Sequence, residues 1–98
     1  MISKADYERL IYTDLSGYVI KKQRPYFLEY PWREEPDGNW LIIDEYKAHG
    51  IYYVRIRSLA EPRKVEHVRK FAACSCILLE VERINVDEWL SINGLKRP

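Results

Sequence analysis

Apolar and polar positions change rhythm along the chain, and the rhythm predicts the elements. Tyr7, Leu10, Ile11 and Leu15 recur at helical spacing, so a helix is expected over about 4–15. Ser3 stands where it can cap that helix, with Asp6 at the capping-box position and Ile2 and Tyr7 as a hydrophobic staple. Gly17 is placed to end it. Strand-like runs follow at about 18–22, 26–31, 39–46 and 51–58. They are separated by Arg24-Pro25, by the turn-rich Arg33-Glu34-Glu35-Pro36-Asp37-Gly38, and by Lys47-Ala48-His49-Gly50. Pro62 can open a second helix at 62–73, with Val65, Val68 and Ala72 on one face, although 65–71 also reads as a strand. A strand at about 76–83 carries Ile77, Leu79 and Val81. A short helix near 86–92 closes the chain, with Asn85 as cap, Glu88 completing the box, Ile84 and Trp89 as staple and Gly94 as stop.

Alternation also predicts register. If 47–50 is a four-residue turn, Leu41 opposes Ile56 and Ile43 opposes Val54 on an apolar face. Trp40 then opposes Arg57 and Ile42 opposes Arg55 on the other. The same logic pairs 26–31 with 39–46, so that Tyr30 meets Leu41 and Leu28 meets Ile43. The expected fold is α+β: an antiparallel sheet of four to five strands with the N-terminal helix packed on its apolar face. The other face is mixed, carrying Trp40, Asp44, Tyr53, Arg55 and Arg57.

Composition narrows this. Ninety-eight residues, 47% hydrophobic and 32% charged, suit one small ordered domain spanning 1–98. Aromatics reach 13%, eight of them Tyr and three Trp; such residues either thicken a thin core or form a contact surface. The net charge of +1 and a pI near 7.7 lack the global basicity of a nucleic-acid binder. Charge is segregated, however. Residues 26–50 hold two basic against six acidic side chains, and residues 51–75 hold six basic against two acidic. The N-terminus does not read as a secretory signal, and no apolar run approaches a membrane span. With only Cys74 and Cys76 as thiols, too close for an ordinary staple, a reducing cytoplasmic setting is expected.

Three candidate chemistries remain. Tyr53, Arg55 and Arg57 with Trp40 make an aromatic–arginine patch on the mixed face, of the residue types that anchor protein interfaces. The expected function is therefore a non-enzymatic module binding another protein or itself through Trp40, Tyr53, Arg55 and Arg57. The alternative is a nucleic-acid-binding domain using the basic 51–70 region, with aromatics stacking bases and arginines meeting phosphates. Third, the string Trp40-Leu41-Ile42-Ile43-Asp44-Glu45-Tyr46-Lys47 resembles the core strand of the PD-(D/E)xK nuclease superfamily. That resemblance implies a divalent metal held by acids beside a lysine, with Glu8, Glu29, Glu45 and Lys47 as the site and Pro36-Asp37 as a nominal PD pair. Against it, Asp37 lies closer to Glu45 than the family's spacing, and the expected register puts Glu29 and Glu45 on opposite sheet faces. Cys74-Ser75-Cys76 with His49 and His67 lacks the paired spacing of a structural zinc site. The cysteines are expected to be reduced, metal-free and mostly buried. No cofactor is expected, and neither a P-loop nor a dinucleotide glycine pattern is present.

Overall fold

The computed structural model describes residues 2–21 and 38–97. In chain order the elements are α1 (Lys4–Leu10), β1 (Val19–Lys21), β2 (Asn39–Ala48), β3 (Ile51–Ser58), β4 (Val65–Arg69), α2 (Lys70–Cys74) and α3 (Val86–Ile92). The four strands form one antiparallel sheet in the order β1-β2-β3-β4. The small α+β class, the N-terminal helix and the short C-terminal helix agree with the pattern. Both expected caps form: Ser3 Oγ accepts from the Asp6 N–H at 3.1 Å and Asn85 Oδ1 from the Glu88 N–H at 3.0 Å. The strand expected at 26–31 lies outside the described residues.

Several expectations are corrected. The first helix stops at Leu10 rather than near 15, because the polar Thr13–Ser16 segment makes local bonds instead. Thr13 Oγ1 donates to the Arg9 carbonyl, and Asp14 Oδ1 accepts from the Ser16 N–H. Gly17 therefore ends no helix. It sits at φ +92°, donates to the Ile42 carbonyl at 2.8 Å and accepts from the Ile84 N–H at 2.9 Å. A Cβ there would lie 2.3 Å from the Ile84 oxygen. The helix expected at 62–73 is instead strand β4 followed by the single turn α2; pairing with β3 sets Val68 against Val54 and overrides the helical spacing. The strand expected at 76–83 reduces to one bridge, Ile77 to Ile20.

Register between β2 and β3 also differs. The turn has two residues, His49 and Gly50, both at positive φ (52° and 78°) as a tight hairpin turn requires. Ala48 then opposes Ile51, Tyr46 opposes Tyr53 and Glu45 opposes Val54. The ladder slips between Ile42 and Asp44, so Ile43 is the extra residue of a β-bulge, and beyond it Ile42 opposes Ile56 and Leu41 opposes Arg57. Consequently Trp40-Leu41-Ile42-Ile43 is buried on both faces, between 0% and 5% exposed. Trp40, Ile42, Val54 and Ile56 pack under α1 and α2 with Leu10, Ala73 and Cys74. Leu41 and Ile43 pack under α3 with Val86 and Leu90. Leu10 thus meets Ile42 and Val54 rather than Leu41 and Ile43, because an apolar run with helices on either side no longer needs to alternate.

Candidate interaction face

The bulge at Ile43 shifts the phase of β2. Past it, Glu45 turns to the side of α1 and α2, while Asp44 and Tyr46 turn to the side of α3. There they meet Tyr53, Arg55 and Arg57 of β3 and Val65, His67 and Arg69 of β4, whose register brings Arg55 opposite His67 and Tyr53 opposite Arg69. Helix α3 covers the part of this face bearing Val19, Leu41 and Ile43. Tyr46, Tyr53, Arg55 and Arg57 are half-buried, and Val65, His67 and Arg69 are exposed.

The side chains are bound to one another. Tyr46 and Tyr53 stack with centroids 5.4 Å apart and planes 15° from parallel. The Arg55 guanidinium lies 4.7 Å from the Tyr46 centroid, and its Nη1 donates to Asp44 Oδ2 at 2.7 Å. Both members of that ion pair keep about a quarter of their side-chain surface, 27% and 24%. The Tyr46 hydroxyl and His67 Nδ1 share a hydrogen bond at 2.6 Å, with the rings edge to face. Arg57 Nη1 donates to the Pro62 carbonyl at 2.9 Å. Asp44 Oδ1 is buried without a hydrogen-bond partner among the described residues.

Of the patch expected from sequence, the structure brings Tyr53, Arg55 and Arg57 together. Trp40 is buried on the opposite face, because the bulge separates its phase from that of Asp44 and Tyr46. Trp89, half-buried on α3, packs against the Val19, Leu41 and Ile43 core. Tyr46, His67 and Arg69 were not among the expected contact residues. The two-residue reading of His49-Gly50 and the strand reading of 65–71 would have placed them.

The carboxylates and lysine of the nuclease resemblance fall in separate places. Glu45 Oε2 accepts from Lys70 Nζ at 2.9 Å and its Oε1 from the Leu15 N–H at 2.9 Å. Lys70 Nζ also donates to the Thr13 carbonyl at 2.9 Å. Glu8 is exposed on α1, 3.9 Å from Lys4, and Lys47 is exposed with its ammonium 5.3 Å from the Tyr52 ring centroid. Glu29 and Asp37 lie outside the described residues. Among the described residues no three His, Cys, Asp or Glu side chains gather as a metal site. Cys74 ends α2 and is buried, Cys76 is half-buried, and both thiols are free. Burial pushes the Cys74 thiol up to about 11, the Lys70 ammonium opposing and Glu45 assisting, so at neutral pH it is no nucleophile.

The chain matches no protein-family model, no curated protein and no solved structure. Among the described residues no helix is long and apolar enough to cross a membrane.

Proposed function

We propose that this chain is a non-enzymatic interaction module that binds protein, a second copy or another chain, through the sheet face of Tyr46, Tyr53, Arg55, Arg57, His67 and Arg69. The observation that carries the reading is the pre-formed Asp44–Arg55–Tyr46–Tyr53 cluster. Its side chains are already ordered by one another, so a partner meets aromatic and guanidinium surface with little further loss of rotamer freedom. The same contacts disfavour the nucleic-acid reading of 51–70. Arg55 is already neutralised by Asp44, Arg57 is tied to a backbone carbonyl, and Tyr46 could accept a base only by releasing Tyr53, Arg55 or His67. Two free thiols fit a reducing cytoplasmic location.

The test is association with and without the cluster. Tyr53→Ala and Arg55→Ala should each weaken binding by roughly 1–2 kcal/mol while leaving the fold intact. Self-association is read by sedimentation equilibrium. Binding to other chains is read by affinity capture from the host, scored for protein and for nucleic acid. Capture of nucleic acid that is lost steeply with salt and insensitive to Tyr53→Ala would overturn the reading.

A further inference from the structure

Strand β4 lies at the edge of the sheet, and among the described residues no strand pairs with its outer side. The ladder shows which of its backbone groups point outward. The Ser58 N–H donates to the Lys64 carbonyl at 3.2 Å, so Ser58 and Lys64 form a hydrogen-bonded pair. Antiparallel alternation makes Ile56 with Glu66, and Val54 with Val68, the next such pairs. Val65, His67 and Arg69 fall between them; their N–H groups and the Val65 and His67 carbonyls turn away from β3, while the Arg69 carbonyl opens α2 as its N-cap. These same three residues put their side chains on the face described above, beside Arg55 and Arg57. No carboxylate of β3 or β4 shares that face, since Glu66 opposes Ile56 on the side of α1 and α2. Among the described strand residues, the acid on that face, Asp44, is paired with Arg55.

An edge with open backbone groups and a basic row on one face calls for a strand whose alternate side chains are acidic. We propose that an extended acidic segment of a protein partner adds along β4 as a fifth strand. Its backbone bonds Val65, His67 and the Arg69 N–H, and every second side chain, a carboxylate, meets Arg69 or His67. This rests on the protein-binding reading and names the partner's chemistry. A second copy of β4 is the poorer occupant. Two-fold pairing centred on His67 would set Arg69 against the apolar Val65 and offer no carboxylate to Arg69 on that face. A nucleic-acid backbone offers no alternating N–H and C=O groups to match the edge.

The experiment titrates the whole chain with a fluorescent peptide alternating glutamate and threonine, following anisotropy and amide hydrogen exchange. The Val65, His67 and Arg69 amides should slow by about tenfold or more on binding, while those of Glu66 and Val68, already bonded to β3, change little. Arg69→Glu, at an exposed position where folding is checked by its melting curve, should weaken binding by about tenfold. N-methylating the peptide nitrogens on the side facing β4 should abolish binding, and methylating the alternate set should not. Equal binding by both methylated peptides, or unchanged exchange at Val65, His67 and Arg69, overturns strand addition while leaving the protein-binding reading standing. So does failure of the peptide to bind where Tyr53-dependent association persists. Loss of that association as well removes both. Slowing of the same three amides with rising protein concentration alone, without peptide, assigns the edge to a second copy and also overturns the proposal.

Discussion

Gly17 and Gly50 both hold positive φ, yet their surroundings differ enough to predict different costs. Gly50 has open space where a Cβ would stand, so Gly50→Ala should lose only the conformational term, about 1 kcal/mol. Gly17→Ala adds a backbone clash with Ile84 that no side-chain rotation relieves, and should lose about 3 kcal/mol. Urea denaturation of the two variants tests the ordering. Cys74 carries a pH signature. Its folded pKa of about 11 exceeds the ordinary 9.0, so the folded state holds its proton where the unfolded chain releases it. This group leaves stability unchanged below about pH 9 and lowers it as pH rises toward 11. Denaturation midpoints of the native chain should fall across that window more steeply than those of Cys74→Ala.

At the scale of elements, β2 reads in two phases because of the single extra residue at Ile43. Substituting that residue and removing it should therefore differ. Ile43→Val should cost about 1 kcal/mol. Deletion of Ile43 would turn Glu45 away from Lys70, leaving a buried ammonium, 7% exposed, without its counter-ion. The deletion should cost several kcal/mol, on the scale of about 3–5 kcal/mol measured when one partner of a buried pair is lost. A double-mutant cycle isolates that pair: Glu45→Gln and Lys70→Met should each destabilise strongly, and together recover most of the loss. Leu41→Ala and Ile42→Ala should both cost about 2–5 kcal/mol, since helices cover both faces there. Much at this scale was legible in the chain. The caps at Ser3 and Asn85, the span of β3 and the C-terminal helix follow from local chemistry that tertiary contacts do not override. The bulge was not legible, because Trp40-Leu41-Ile42-Ile43 is apolar at every position and gives no phase to count. With phase lost, Trp40 is assigned to the patch; Tyr46 is left out because a four-residue turn sets it opposite Ile51 rather than Tyr53. Helix and strand were indistinguishable at 65–69 until β3 supplied a partner.

At the scale of the molecule, the patch on β2, β3 and β4 stands at one end of the sheet, while segment 13–17 ties the rest together. Thr13 receives Lys70, Leu15 donates to Glu45, Asp14 and Ser16 receive Arg83, and Gly17 bridges Ile42 and Ile84. Its side-chain ties span 30 to 69 residues of sequence. The meander of β2, β3 and β4, by contrast, joins neighbours through short turns. Contacts that close large loops cost more entropy and tend to form late. Segment 13–17 should therefore close after the meander, past the rate-limiting barrier. Gly17→Ala and Lys70→Met would then hasten unfolding and leave refolding almost unchanged, which stopped-flow traces in both directions can separate. The lifetime of the folded chain, more than its speed of assembly, is set by these five residues.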